Sequence, residues 1–270
     1  MLRHDPLAAR LHRALVREEL SLHFQPLVEA TSHQVIGAEA LLRWHAPEIG
    51  DVPPQAVIPL AEESGLIHAL TLAVLNQALA QCRDWHRKGA KLHIAVNVSP
   101  LCLKDETFPR RVAALLKAWS VPAPWLTFEL TARAELDDLP RAAAVLQSLR
   151  AMGLRIVLDG FGNGNASFQR LKQLTCDGIK LDRTYVQGVT TNPVDHAIVM
   201  AVQAIARSLG CQAIATGIES EAAMHTLRDA GYDMLQGFWL GEPVPAEMFS
   251  QRWLARPGAV LMFAPQTPQR

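Results

Sequence analysis

From residue 54 onward, helical segments alternate with short apolar runs in a regular order. The apolar runs are short, rich in aliphatic and β-branched residues, and bounded by turn residues, which predicts buried strands. We predict strands over 92–97, 125–131, 155–158, 178–181, 212–215 and 234–236. We predict helices over 54–63, 67–88, 108–119, 138–151, 166–173, 194–209 and 220–230. This alternation favours helices packed around one mostly parallel sheet.

The segment before residue 54 has a different pattern. Apolar spacing predicts a helix over 6–18, and two strands follow, one over 20–28 and one ending near Glu39. Only a turn at 31–33 separates these two strands, so the sheet is expected to begin with an antiparallel pair. With about eight strands and no internal linker, the predicted fold is a single (β/α)₈ TIM-type barrel of the α/β class with one antiparallel strand. We expect a lead-in helix over 1–18, the barrel over 19–250 and an extension over 251–270.

Composition excludes several functional classes. The chain has 270 residues, with 26 basic and 26 acidic side chains and four cysteines. A balanced charge disfavours DNA binding or adhesion to a membrane by electrostatics. No apolar run approaches the roughly 20 residues of a membrane-spanning helix. Four isolated cysteines without a metal-ligand spacing are typical of reduced cytosolic proteins, so a cytoplasmic location is expected.

Four predicted strands end on, or run into, an oxygen-bearing side chain. In a barrel, active-site groups gather at the carboxyl ends of the strands. Carboxylate and amide oxygens are the ligands that Mg²⁺ and similar hard cations prefer. The sequence therefore predicts a metal site formed by Glu39, Asn97, Glu129 and Asp159.

Eight short motifs occur in an order typical of one known family. They are Phe24-Gln25-Pro26, 37–44 (GAEALLRW), 59–67 (PLAEESGLI), 95–99 (AVNVS), Glu129-Leu130-Thr131, 159–162 (DGFG), Lys180-Leu181-Asp182 and Gln236-Gly237-Phe238. Over residues 10–250 the chain resembles the EAL family, whose members bind or hydrolyse the bacterial messenger cyclic di-GMP. The resemblance implies a barrel with one reversed strand and, in active members, hydrolysis of cyclic di-GMP to linear pGpG with Mg²⁺ or Mn²⁺.

The resemblance also implies roles for particular side chains. Glu39, Asn97, Glu129 and Asp159 match the ligands of the first metal, and Lys180 matches the lysine that positions the attacking water. Glu39 and Lys180 are thus the candidate catalytic residues. The positions implied near the nucleotide are Gln25, Leu41, Arg43, Asp182 and Gln236.

Each role has a simpler structural alternative. Lys180 could be an ion-pair partner of Asp159. Arg43 could form a salt bridge with Glu62 or Glu63. The uncharged Gln25 and Gln236 could be backbone caps.

Three positions depart from the family pattern. Gly160 replaces the second aspartate of the paired Asp-Asp motif, and Thr216 replaces a glutamate that serves the second metal. Ala132 replaces a glutamate that braces the active-site loop, and the loop sequence 163–167 also differs from the usual one. Neither glycine nor a neutral threonine supplies the anionic ligand that a dication needs. We therefore expect at most one Mg²⁺ or Mn²⁺, unless a shifted Glu135 or Glu219 compensates.

These departures favour one function over two others. The favoured hypothesis is a degenerate EAL module that binds cyclic di-GMP as a receptor, with weak or no hydrolysis. The first alternative is an active phosphodiesterase, and the second is a protein-interaction module that does not bind nucleotide. The expected partners are cyclic di-GMP and either a separate protein or an upstream sensory or GGDEF module. A homodimer is doubtful because the loop after Asp159 is altered.

Overall fold

The computed structural model describes residues 6–17, 19–47, 49–131, 138–163, 168, 171 and 174–254. The strands are β1 Leu20–Glu29, β2 Val35–Ala46, β3 Gly50–Val52, β4 His93–Val98, β5 Leu126–Thr131, β6 Arg155–Phe161, β7 Gly178–Leu181, β8 Gln212–Ala215, β9 Met234–Leu235 and β10 Val244–Pro245.

Helices follow the predicted positions closely. They are α1 Pro6–Val16, α2 Pro54–Glu63, α3 Ile67–Arg87, α4 Phe108–Trp119, α5 Leu139–Ala151, α6 Arg183–Gln187, α7 Pro193–Ser208, α8 Glu221–Asp229 and α9 Ala246–Phe249. Short 3₁₀ helices occupy Pro100–Lys104 and Ala123–Trp125, and a π-helical turn occupies Ser250–Leu254. Of the helix predicted over 166–173, only 168 and 171 are described, and both are helical.

Eight strands close into a barrel, which confirms the predicted fold. The order around the barrel is β1-β2-β4-β5-β6-β7-β8-β9, and β1 pairs with both β2 and β9 to complete the circle. β1 runs antiparallel to both neighbours, whereas every other pair within this circle is parallel. The single reversed strand is therefore β1, and the predicted hairpin turn lies at its end, where His33 has a φ of 56°.

The prediction that a strand ends near Glu39 was wrong. β2 continues seven residues beyond Glu39, to Ala46, because β1 and then β3 remain paired with it. Its pairing with β4, however, stops at Ala40, opposite Val96. Glu39 thus lies in the middle of its strand but at the end of the stretch that pairs with β4.

Helix α3 illustrates how sequence periodicity builds the outer layer. Its buried positions recur every three or four residues, the spacing of one helix face. These positions are Ile67, Leu70, Thr71, Val74, Leu75, Ala78, Leu79, Cys82 and Trp85.

An aromatic cluster packs α3 and the end of the described chain against β1. The ring of Phe24 meets Trp85 edge-on at 5.0 Å, and Phe249 lies 4.8 Å from both Trp85 and Trp253. Residues 251–254, which we assigned to a C-terminal extension, continue the helical path, and Trp253 is part of this cluster. The rest of that predicted extension, 255–270, lies outside the described residues. Within the described part of the chain, no helix has the length and apolarity to cross a membrane.

Candidate functional site

Predicted site residues from several strands come together at one end of the barrel. β2 contributes Glu39, β6 contributes Asp159, β7 contributes Lys180, and Gln236 follows β9. These side chains line a cleft with about 670 Å³ of empty space, which is open to solvent on one side. The remaining lining residues are Gln25, Arg183, Thr216, Gly217, Glu219, Gly237 and Phe238.

A buried lysine lies between two carboxylates at the base of this cleft. The Nζ of Lys180 donates to Glu39 Oε2 at 2.8 Å and to Glu129 Oε2 at 2.6 Å. Lys180 is 3% exposed and Glu129 is 2% exposed, so solvent screens these ion pairs little. Lys180 does form ion pairs, but its partners are Glu39 and Glu129, not the Asp159 that the structural alternative named.

Glu39 also accepts hydrogen bonds from two side-chain amides. Asn97 Nδ2 donates to Oε1 at 2.6 Å, and Gln236 Nε2 donates to Oε2 at 2.8 Å. Gln236 Nε2 contacts Gln25 Oε1 at 3.1 Å as well, and Gln25 Nε2 donates to the carbonyl of Gly241 at 3.1 Å. Gln25 therefore does cap a backbone carbonyl, and at the same time it belongs to a hydrogen-bonded chain that ends on Glu39.

The site carries more negative than positive charge. Burial alone would raise the pKa of Glu39, but Lys180 and the two amides hold it below its ordinary value. Burial and then the charge of Glu39 raise the pKa of Glu129 well above its ordinary value. The pKa of Asp159 is also raised, first by burial, although Lys180 opposes the shift. For Lys180, burial opposes the charge, yet Glu129 and Glu39 raise its pKa overall.

This donor set fits a divalent metal chemically. Two buried carboxylates, Glu39 and Glu129, and the partly exposed Asp159 face one ammonium group. Burial, and then the charge of Glu39, raise the pKa of Glu129 and Asp159, so a cation that joined them would be favoured. Asn97 uses its nitrogen to bond Glu39, which leaves its carbonyl oxygen as the atom that a cation would contact. Among the described residues, no three acidic, histidine or cysteine side chains form a ready-made cation cage. Lys180 bridges two of the predicted ligands, so metal binding requires these ion pairs to rearrange.

Three predicted nucleotide-side residues, Leu41, Arg43 and Asp182, are not among the residues that line the cleft. Leu41 pairs with His23 across the β1–β2 hairpin and is half-buried. Arg43 donates from Nη1 to the carbonyl of Leu42 at 2.8 Å. The alternative salt bridge of Arg43 to Glu62 or Glu63 is not formed, and Glu62 instead accepts a hydrogen bond from Ser99 Oγ at 2.6 Å. The sequence-based role of Leu41 and Arg43 beside a nucleotide stays a prediction.

Comparison with known proteins places this barrel in a family. The family model described as "EAL domain" matches residues 8–243. The chain belongs to the EAL domain family. The EAL domain is 39% identical over 238 residues to the bifunctional diguanylate cyclase/cyclic di-GMP phosphodiesterase MucR of Pseudomonas aeruginosa, covering 88% of this chain and 35% of that protein. It is 35% identical over 250 residues to the cyclic di-GMP phosphodiesterase PdeR of Escherichia coli, covering 93% and 38%.

Solved structures agree with these relationships. The structure titled "PaMucR Phosphodiesterase, c-di-GMP complex" matches with a TM-score of 0.83 and 38% identity, covering 90% of this chain and 99% of that one. The EAL enzyme Bd1971 in its cAMP- and cyclic di-GMP-bound form matches with a TM-score of 0.85 and 26% identity, covering 91% and 68%. The chain spans about a third of the length of the curated relatives it matches.

Two of the altered positions of this EAL domain, Gly160 and Thr216, lie among the described residues. Gly160 has a φ of 68°, in the left-handed region that favours glycine, and a Cβ there would lie 3.9 Å from Asp182 Oδ2. That carboxylate oxygen accepts a hydrogen bond from Asn163 Nδ2 at 3.1 Å. Thr216 donates from Oγ1 to the carbonyl of Leu181 at 2.9 Å. On this side of the cleft, Asp182 is thus bonded to a side-chain amide and Thr216 to a backbone carbonyl.

Asp182 has a clear structural role in the EAL domain. It caps the N-terminus of α6, because Oδ1 accepts hydrogen bonds from the backbone N–H of Thr184 at 3.0 Å and from its hydroxyl at 2.6 Å. Through Asn163 it also ties the segment after β6 to the segment after β7. The predicted contact of Asp182 with nucleotide stays a prediction.

Sequence reasoning gave no role in the cleft to Arg183 or Phe238, and it considered Glu219 only as a shifted substitute for a lost carboxylate. Arg183, Glu219 and Phe238 all face the cleft, and Phe238 is 59% exposed. Within the described ranges, no carboxylate lies within ion-pair distance of Arg183, whereas Glu219 accepts a hydrogen bond from Gln187 Nε2 at 2.9 Å. The sequence could have pointed to two of these residues by their position next to predicted site residues. Arg183 directly follows Asp182, and Phe238 ends the motif that begins with Gln236. Ala132, Glu135 and most of loop 163–167 lie outside the described residues.

Proposed function

We propose that this EAL domain binds cyclic di-GMP as a regulatory receptor and hydrolyses it weakly or not at all. The observation that carries the proposal is the contrast between the two sides of the cleft. One side holds the full set of oxygen donors Glu39, Asn97, Glu129 and Asp159 with Lys180. The other side has Gly160 and Thr216 where carboxylates would be needed, and Thr216 bonds to the backbone at 2.9 Å.

The cleft also has side chains suited to a cyclic dinucleotide. Each phosphodiester carries a negative charge, and Arg183 supplies a guanidinium that is free of carboxylate partners among the described residues. The exposed ring of Phe238 offers a surface on which a guanine base can stack. Gln25 and Gln236, joined by one hydrogen bond from Gln236 Nε2 to Gln25 Oε1, offer fixed polar groups to the ligand. The similarity to a MucR structure solved with cyclic di-GMP supports this choice of ligand.

We further propose that the receptor binds a single Mg²⁺ or Mn²⁺ ion. Glu39, Asn97, Glu129 and Asp159 are the residues that would hold it, as the excess of carboxylates over ammonium groups favours a dication. When bound, such an ion supplies Lewis-acid polarisation of a phosphoryl oxygen. Lys180 and Gln236 position the Glu39 carboxylate, and Lys180 also supplies positive charge at the base of the cleft. With no carboxylate at 160 or 216, this chain lacks two of the anionic side chains that the family pattern gives to a second ion, and hydrolysis should be slow.

The test is calorimetric titration of cyclic di-GMP in Mg²⁺ and in chelator, with pGpG measured chromatographically in the same samples. We expect saturable binding in Mg²⁺ and little or no pGpG. The variant Arg183→Ala should weaken binding about tenfold or more, since a charged hydrogen bond contributes about 1.5–3 kcal/mol. Arg207→Ala, which removes an exposed arginine of α7, is the matched control. Absence of binding in both buffers would rule out the receptor and favour the module that does not bind nucleotide.

The alternative is an active phosphodiesterase, and one observation favours it. Lys180, Glu39 and Glu129 are assembled within hydrogen-bond distance, with Asn97 beside them, as a catalytic centre would require. Steady formation of pGpG that disappears in Lys180→Ala would establish this alternative. Product that persists in Lys180→Ala would instead indicate a contaminating enzyme.

The partner of the receptor is expected to be another signalling module. The curated relatives are about three times as long as this chain, and one of them is named as a bifunctional diguanylate cyclase and phosphodiesterase. We propose that an upstream sensory or GGDEF module, or a separate protein, reads the nucleotide-bound state. The four cysteines are free, which supports a reducing, cytoplasmic setting. We propose that a homodimer is not required for nucleotide binding.

A further inference from the structure

Two cysteines lie side by side at the end of the barrel opposite the cleft. Cys176 precedes β7 and Cys211 precedes β8, and their sulfur atoms are 3.8 Å apart. Cys176 is buried, and Cys211 is partly exposed. Neither residue lines the cleft or contacts the carboxylates around Lys180.

The backbone on both sides of this pair is already held at a short separation. β7 and β8 are paired in parallel, with Gly178 opposite Gln212, and the N–H of Gln212 donates to the carbonyl of Asp177 at 2.9 Å. Paired strands lie about 4.8 Å apart, and disulfides need Cα atoms about 4.4–6.8 Å apart. In this register Asp177, not Cys176, extrapolates to the position opposite Cys211, but the Sγ of Cys211 donates to the carbonyl of Cys176 at 3.2 Å, so the two residues are in direct contact. To form a disulfide, the two sulfurs have to close from 3.8 Å to a bond of about 2.05 Å.

We propose that Cys176 and Cys211 form a thiol–disulfide site that links the starts of β7 and β8 when the protein meets a peroxide. Cys211, the more exposed thiol, attacks the peroxide oxygen, and the O–O bond breaks to give a sulfenic acid and one water. The sulfur of Cys176 then attacks the sulfenic sulfur, its proton joins the departing hydroxide, and a second water leaves. Two thiols and one hydrogen peroxide thus give one disulfide and two waters.

The other two cysteines provide an internal contrast. Cys82 and Cys102 are both buried, and no cysteine sulfur lies within hydrogen-bond distance of either among the described residues. Burial raises the pKa of the Cys82 thiol to about 12 and that of Cys102 to about 11. Burial also raises the pKa of the Cys176 thiol to about 12, so the more exposed Cys211 is the thiol that attacks the peroxide first.

Closing the disulfide would stabilise the barrel, because it closes a long loop. The two residues are 35 positions apart, and all of β7, α6 and α7 lie between them. A cross-link of this length should raise the midpoint of thermal unfolding by about 5–10 °C through its effect on the unfolded chain.

The test is treatment of the full chain with hydrogen peroxide, followed by intact mass, free-thiol counting after denaturation and non-reducing peptide mapping. We expect a loss of about 2 mass units, a fall from four free thiols to two, and one cross-linked peptide pair. In Cys211→Ser the disulfide should be absent, and in Cys176→Ser a sulfenic acid at Cys211 should be trapped by a cyclic dione. Retention of four thiols, or a cross-link that involves Cys82 or Cys102, would overturn the proposal. A reducing agent should reverse both the mass change and the rise in midpoint, and neither readout depends on nucleotide binding.

Discussion

Removing the Lys180 ammonium should strongly destabilise this barrel. In Lys180→Met, Glu39 and Glu129 would remain buried, each having lost its ion-pair partner at 2.8 and 2.6 Å. Breaking a buried ion pair on one side costs about 3–5 kcal/mol, because it leaves a charge without compensation. For a domain of this size about 1 kcal/mol shifts the unfolding midpoint by about 2–4 °C, so we expect a fall of about 6–20 °C. The matched control is Lys91→Met, which removes an exposed lysine just before the start of β4, at the other end of the barrel.

The loss of stability in Lys180→Met should depend on pH in a defined direction. In Lys180→Met, the pKa of Glu129 should rise further above its ordinary value of 4.5, because the charge and hydrogen bond of Lys180 no longer oppose the rise caused by burial and Glu39. A carboxyl with a raised pKa binds its proton more readily in the folded state. Stability is then retained at low pH and lost as the pH rises above about 4.5 through the folded-state pKa. The midpoint difference between the variant and the parent chain should therefore be smaller at low pH than at neutral pH.

The assay is thermal and urea unfolding of the parent chain, Lys180→Met and the double variant Lys180→Met with Glu129→Gln. The double variant should recover at least about 1 kcal/mol of the loss, since one of the uncompensated charges is gone. Added Mn²⁺ should also stabilise Lys180→Met more than the parent chain, because the lysine no longer bridges two of the metal ligands. If Lys180→Met unfolds at the same midpoint as Lys91→Met, the charge argument is refuted.

Three further predictions concern other parts of the molecule. Gly160→Asp combined with Thr216→Glu should raise pGpG formation in Mn²⁺ by at least about tenfold, measured chromatographically, if the lost carboxylates limit turnover; unchanged product would contradict that cause. Asp182→Ala should lower the free energy of unfolding in urea by about 1–2 kcal/mol, because the cap of α6 is lost. The control Asp84→Ala, which removes an exposed ion pair, should change it by less than about 0.5 kcal/mol. Phe249→Ala should lower the free energy of unfolding by about 3–5 kcal/mol and alter tryptophan fluorescence, because the ring packs on Trp85 and Trp253. A decrease below about 1 kcal/mol would show that the aromatic cluster adds little to stability.

Much of the barrel was predictable because its strands and helices are long enough to show a period. The runs ending in Asn97 and Glu129 are apolar and bounded by turn residues, and each is a buried strand in the structure. β3 and β10, with three and two residues, are too short for any period to be visible. The length of β2 was missed because its continuation beyond Glu39 depends on pairing with β1, a tertiary contact that the local pattern does not contain.

The arrangement of the candidate site was also only partly predictable from the sequence. That Glu39, Asp159 and Lys180 lie at one cleft follows from strand order, with Asp159 and Lys180 near the ends of their strands and Glu39 where the pairing of β2 with β4 ends. Which carboxylates Lys180 contacts does not follow, since three acidic residues of the same rim compete and differences of a few ångströms decide among them. Glu39 and Glu129 are within 2.8 Å of its Nζ, and Asp159 is not an ion-pair partner. The sequence motifs predict which residues lie near one another, whereas the ion pairs that these residues form depend on the geometry of the closed barrel.

The charge of the site links metal binding to nucleotide binding. At the base of the cleft, Glu39, Glu129 and Asp159 outnumber the ammonium of Lys180, so this part of the cleft repels the two phosphates of cyclic di-GMP until a cation joins them. A metal ion that binds there should raise nucleotide affinity, and linkage requires nucleotide to raise metal affinity by the same factor. Titrating nucleotide with and without Mn²⁺, and Mn²⁺ with and without nucleotide, gives two independent measurements of that factor. Equal factors well above one are expected for adjacent sites in one cleft, and a factor near one would show that the metal and the phosphates do not meet.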